Sequence, residues 1–150
     1  MSAKKPIRVF VTHCFASNPD YHRVFEYMES TANFFYLNCS VPDHAPKGGG
    51  KEALKEEYRT QLSTAEVVIV LSSLYAEDEY WTTYQMDAAQ ATNLPLVVIE
   101  PFGVSVKVPA ELAKRAGEVV GWNERLIADA IRRQARHEDT HRWDVIEFKL

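Results

Sequence analysis

Near the middle of the chain lies an unbroken run of five apolar and mostly β-branched residues, Val67–Leu71. Such a run is typical of a strand that is covered on both faces, as the strands of a parallel sheet are. The run ends at Ser72, and an acidic turn then leads into a helical pattern in which Trp81 and Tyr84 share one face. The stretch therefore predicts a strand-to-helix junction, the kind of place where open α/β sheets bind their ligands.

Further apolar runs predict four more strands, separated by helical patterns. These strands are Ile7–Val11, residues 34–37, Leu96–Ile99 and the short Glu118–Val120. Strands that alternate with helices favour right-handed βαβ units. The predicted fold class is therefore α/β: a flavodoxin-like, doubly wound parallel sheet of about five strands with helices on both faces. The strand order 2-1-3-4-5 would bring the carboxyl ends of the first and third strands together at the switch point.

The length of 150 residues predicts one domain, residues 1–150, with a buried core of its own. We expect the core to comprise about residues 6–122. A C-terminal helix and tail follow in residues 123–150. Within the tail, residues 143–148 alternate between apolar and polar side chains, which predicts an edge strand or an extended arm.

Composition excludes several classes of partner. A formal net charge of -4 disfavours nucleic acid and anionic membranes. No apolar run approaches the roughly 20 residues that a membrane-spanning helix needs, and the first residues lack the features of a signal peptide. Cys14 and Cys39 are too few for a disulfide framework, so we interpret them as reduced thiols of a cytoplasmic protein. Their expected places at the ends of two strands leave a redox pair as the alternative.

Several functions of α/β proteins are excluded by missing residues. Neither a Rossmann G-x-G-x-x-G motif nor a P-loop follows the first strand, since that loop contains no glycine. A receiver domain needs a phosphorylatable aspartate after the third strand, where Ser72 stands. His137 and His141 are one helical turn apart but have no partner cysteines, so no metal site is predicted.

Three segments together resemble Toll/interleukin-1 receptor (TIR) domains. They are RVFVTH at residues 8–13, AEVVIVLS at residues 65–72 and WTTYQ at residues 81–85. The likeness is greatest to the small stand-alone TIR-like proteins of bacteria and archaea, whose relatives include the TIR component of Thoeris antiphage defence. It extends to about Trp122.

The resemblance implies a flavodoxin-like sheet and, in catalytic members, cleavage of NAD at the nicotinamide–ribose bond. Some members then cyclise the ADP-ribose product into a signalling nucleotide. The loop after the second strand, residues 39–50 here, covers the site in the family and takes part in assembly. A protein partner or self-assembly through this loop is therefore expected. No cofactor is predicted, and NAD enters only as a substrate or ligand.

One residue departs from the family pattern. The catalytic glutamate of the family lies four residues after the helix tryptophan, and Gln85 occupies that place here. A carboxylate can stabilise an oxocarbenium-like centre or act as a base. A neutral amide can hydrogen-bond to ribose but supplies neither charge nor basicity. Glu77 and Asp78, which shortly precede Trp81, are the alternative acids.

The candidate site combines Gln85, at the catalytic position, with residues expected to bind a ligand. The ligand-binding candidates are Thr12, His13, Phe15, Ser72, Tyr75 and Trp81. Two of them also have structural interpretations: Trp81 as a core anchor, and His13 as a histidine hydrogen-bonded to a neighbouring loop.

Two functions follow from this combination. The first is a TIR-like signalling or antiphage-defence module that binds a nucleotide or a protein partner. The alternative is an NAD-consuming glycohydrolase or cyclase that makes a cyclic ADP-ribose-type signal. A nucleoside-processing transferase on the same fold would need the same missing carboxylate.

Overall fold

The computed structural model describes residues 5–103 and 107–137. Five strands form one sheet in the order β2-β1-β3-β4-β5, and every pair of neighbours is parallel. The strands are β1 (Ile7–Val11), β2 (Tyr36–Asn38), β3 (Val67–Leu71), β4 (Leu96–Ile99) and β5 (Glu118–Val120). This arrangement confirms the predicted fold class, strand order and central position of β3.

Helices cover both faces of the sheet. The described helices are α1 (Pro19–Glu29), α2 (Gly50–Leu62), α3 (Ser72–Glu77), α4 (Glu79–Ala91), α5 (Ala110–Arg115) and α6 (Glu124–Arg136). Buried side chains of α1 and α6 pack on one face, and those of α2, α4 and α5 pack on the other. The fold is therefore doubly wound, as the alternation of strands and helices predicts.

The central strand contributes to both cores because successive side chains of a strand point to opposite faces. Val67, Ile69 and Leu71 pack with α1 and α6. Val68 and Val70 pack with α2, α4 and α5. All five side chains are at most 1% exposed, which accounts for a strand that is apolar at every position.

Two elements differ from the predictions. β2 spans Tyr36–Asn38 and not residues 34–37, because its pairing with β1 runs from Tyr36, opposite Ile7, to Asn38, opposite Val9. Phe34 is buried ahead of the strand and Phe35 is 64% exposed. Residues 72–77, predicted as a polar exit that leads to an acidic turn, instead form the short helix α3.

A few predictions concern features that the described residues test only in part. No helix in residues 5–103 or 107–137 is long and apolar enough to cross a bilayer. Within the same ranges, no three His, Cys, Asp or Glu side chains are grouped so that they could hold a metal ion. The strand or arm predicted at residues 143–148 lies outside the described residues, as does His141.

Candidate functional site

Thr12 joins the carboxyl ends of β1 and β3. Its backbone N–H donates to the Ile69 carbonyl at 3.0 Å, and its Oγ1 accepts from the Leu71 N–H at 3.1 Å. The residue is fully buried. Thr12 therefore extends the pairing of the two strands, and its hydroxyl lies inside the protein.

His13 is buried and has a hydrogen bond at each ring nitrogen. Its Nδ1 accepts from the Phe15 N–H at 3.2 Å, and its Nε2 lies 2.9 Å from Gln61 Oε1. Because Nδ1 is the acceptor, the proton lies on Nε2 and is donated to Gln61. Burial lowers the pKa of His13 to about 4. The imidazole is therefore neutral at physiological pH and is not a proton donor for chemistry there.

Gln85 links α4 to the loop at residues 12–18. Its Oε1 accepts from the His13 backbone N–H at 3.0 Å, and its Nε2 donates to the Trp81 carbonyl at 2.9 Å. The side chain is 0% exposed. The amide is thus bonded at both ends within the protein, and a ligand reaches it only if these contacts open.

An aromatic cluster surrounds this hydrogen-bonded centre. The ring centroid of Tyr58 lies 4.8 Å from that of Phe15 and 5.6 Å from that of Trp81. The Tyr58 hydroxyl donates to the His13 carbonyl at 2.6 Å, and burial raises the pKa of Tyr58. Phe15 and Trp81 are half-buried, so parts of these two rings face solvent.

The loop at residues 12–18 is also held from the side of α3. Asn18 caps α1, and its Nδ2 donates to Glu77 Oε1 at 3.4 Å. Ser73 Oγ donates at 2.8 Å to Asp20, which also pairs with Arg23. The sequence patterns did not indicate Asp20, which is a buried acid beside the switch point. It is one of several polar residues at the start of a helix, so the local sequence does not distinguish it.

The two alternative acids lie close to the same loop. Asp78 caps α4 by accepting from the Trp81 N–H at 3.2 Å. Burial and the neighbouring carboxylates of Asp78 and Glu77 raise the pKa of the Cys14 thiol to about 12. Asp87 points away as its helical position predicts, and pairs with Arg115 at 2.7 Å. Cys14 therefore stays a thiol, and Glu77 and Asp78 lie near it.

The predicted residues fall into two groups by their burial. The first group is buried and consists of Thr12, His13, Ser72 and Gln85. The second is half-buried and aromatic, and consists of Phe15, Tyr75 and Trp81. His13 and Gln85 are in direct contact, while their roles towards a ligand stay predictions.

Sequence reasoning missed Tyr58 and Gln61 as partners of the site. Both lie on α2, three residues apart and so on one helical face, and both are buried. A glutamine on the apolar face of a helix is the signal that would have identified Gln61. It connects His13 to Val41 in the loop of residues 39–50, with hydrogen bonds of 2.8 and 3.1 Å to the Val41 N–H and carbonyl.

The sheet order and the switch point define a flavodoxin-like α/β protein. The family model described as Thoeris protein ThsB, TIR-like domain, matches residues 10–105, more than half of the chain. The chain therefore belongs to the TIR-like domain family of the Thoeris protein ThsB, and is a TIR-like module of antiphage defence and signalling. A search of the curated proteins found no match.

Proposed function

We propose that this chain is a TIR-like defence-signalling module that binds a nucleotide at the switch point and does not use residue 85 to cleave NAD. The observation that carries the proposal is the double hydrogen bond of the Gln85 amide. A carboxylate would retain the bond from the His13 N–H. Without a proton it would also place its second oxygen against the Trp81 carbonyl, where two acceptors repel each other.

The half-buried aromatic rings support nucleotide binding. Phe15 and Trp81 each combine packing in the cluster with partial exposure. Stacking of a base on an aromatic side chain typically contributes about 1–3 kcal/mol. The adjacent acids, Glu77 and Asp78, favour the cationic nicotinamide end of NAD over its phosphates, since opposite charges attract and like charges repel.

A binding measurement tests this proposal. Calorimetric titration of the full chain with NAD should give saturable binding. Phe15→Ala should weaken it by about tenfold or more, because a stacking partner is lost. Phe35→Ala, which truncates an aromatic side chain 64% exposed at the β2 edge, is the matched control and should bind like the wild type. No saturable binding by the wild type, or equal weakening in both variants, would contradict the proposal.

The second candidate function is NAD cleavage with a relocated acid. It is favoured by Glu77, which bonds to Asn18, and by Asp78, whose charge acts on Cys14. Either carboxylate lies beside the loop of residues 12–18 and is not replaced by an amide. Assembly through the loop of residues 39–50 is a condition for this activity. Gln61 supports that condition because it connects the loop to His13 in the candidate site.

A further inference from the structure

An apolar groove lies between α2 and α4 and has a volume of about 640 Å³. Its apolar lining consists of Leu62, Ala65, Ala88, Ala91 and Leu94. The exposed charged residues Arg59 and Asp87 also line it. Ala65 and Leu94 shortly precede β3 and β4, so the groove opens toward the amino-terminal edge of the sheet, opposite the switch point.

The groove continues along α4 in both directions. Toward the start of α4 it shares Tyr84 and Asp87 with a cavity of about 610 Å³. Toward the end of α4 it shares Leu94 with a cavity of about 530 Å³, which His137 also lines. The cavity that His137 lines therefore adjoins the apolar groove at Leu94.

The polypeptide leaves α6 at this adjoining cavity, which His137 lines. His137 has a left-handed φ of 56°, and its N–H donates to the Arg133 carbonyl at 2.9 Å. This geometry ends a helix and redirects the chain. Residues 138–150 follow, and at about 3.3 Å per extended residue they reach roughly 40 Å. The part of α4 from Ala91 back to Tyr84 is only about 10 Å long, so the segment is long enough to follow the groove.

The sequence of the segment complements the groove. Residues 143–148 read WDVIEF, with bulky apolar side chains on either side of Asp144 and Glu147. The walls of the groove and of the adjoining cavity carry Lys55 and Arg59 on α2, and Glu79 and Asp87 on α4. The apolar side chains of the segment thus match the apolar lining, and its two acidic side chains can pair with Lys55 and Arg59 on the α2 side.

We propose that residues 143–148 bind in the groove between α2 and α4 of the same chain. Covalent attachment provides an effective concentration of roughly millimolar, so even a weakly binding segment is retained. The same two helices carry Gln61 and Gln85, which bond to His13 at the other edge of the sheet. A bound segment therefore holds together the pair of helices on which the switch point depends.

Photocrosslinking in the full chain tests the location directly. Benzoylphenylalanine placed at Ala91, an exposed residue of the groove, should crosslink to a peptide that contains residues 143–148 within the monomer. The same probe at Ala113 is the matched control, because Ala113 is also an exposed alanine near the end of a helix and does not line the groove. It should give no such crosslink. A crosslink found only between two chains, or none from position 91, overturns the proposal.

Amide hydrogen exchange gives a second readout without a probe. In the wild type, the amides of residues 143–148 should exchange about tenfold or more slowly than in Ala91→Arg, which places a charged side chain in the groove. Ala113→Arg should preserve the wild-type protection. Equal exchange in the wild type and in Ala91→Arg overturns the proposal, whatever the stability of the variants.

Discussion

At the residue scale, the chemistry of the switch point depends on side chains that are buried and already bonded. The resemblance to catalytic TIR domains places a glutamate where this chain has Gln85. The amide is matched to its two neighbours, since it accepts from an N–H and donates to a carbonyl. This pairing indicates that Gln85 stabilises the contact between α4 and the loop of residues 12–18.

The buried imidazole of His13 makes a prediction about pH. The folded chain holds His13 neutral, with its pKa lowered to about 4, whereas the unfolded chain binds a proton below about 6.5. Protons therefore favour the unfolded chain between these values, and stability should fall as the pH drops from 6.5 to 4. The slope from this residue is at most about 1.4 kcal/mol per pH unit.

Urea unfolding at several pH values measures this slope. His13→Gln retains a donor and an acceptor but does not titrate, so its stability should change less than that of the wild type over the same interval. Parallel pH profiles for the two proteins would show that His13 is not the titrating group.

At the scale of elements, α2 connects the loop of residues 39–50 with the loop of residues 12–18. Gln61 makes the connection through hydrogen bonds to Val41 and His13, and it also bonds to Glu57. Its side chain is buried. We therefore expect a change in the position of the first loop to alter the hydrogen bonding of His13.

Replacement of this glutamine should loosen both loops. Gln61→Leu removes the partners of the buried His13 ring and of the half-buried Val41 backbone, at about 1–3 kcal/mol for each group left unsatisfied. We expect a loss of about 2–4 kcal/mol in the free energy of unfolding, with faster amide exchange in residues 39–50. Gln90→Leu, an exposed glutamine on α4, is the control and should change stability by less than about 0.5 kcal/mol. Similar losses in both variants would argue against the connection.

At the scale of the whole molecule, the sheet was predictable from the sequence, whereas the burial and hydrogen bonding of the candidate site were not. β3 and β4 are apolar at every position because both their faces are covered, and this pattern is visible in the sequence. The start of β2 depends on its pairing with β1, which the neighbouring aromatic residues do not reveal. The six residues of α3 are too few to show a helical period.

The same contrast holds for the candidate site. The alternation of strands and helices predicts a parallel sheet, and the flavodoxin-like order brings the carboxyl ends of β1 and β3 together. The burial of the Gln85 amide depends on a partner 72 residues away in the sequence. No local pattern carries that information, so sequence reasoning identified which residues meet but not that hydrogen bonds already occupy their polar atoms.

The most direct test of the proposed function follows nicotinamide release from NAD by the full chain, alone and after forced assembly. Wild-type protein should release nicotinamide slowly or not at all, because loss of one electrostatic contact typically costs about 10²–10³ in rate. Gln85→Glu should raise the rate if its carboxylate becomes accessible to the ribose. The account would be contradicted if the wild type released nicotinamide briskly and lost this activity in Glu77→Gln or in Asp78→Asn. The second variant retains a side chain that can cap the helix, so such a loss would establish the relocated acid.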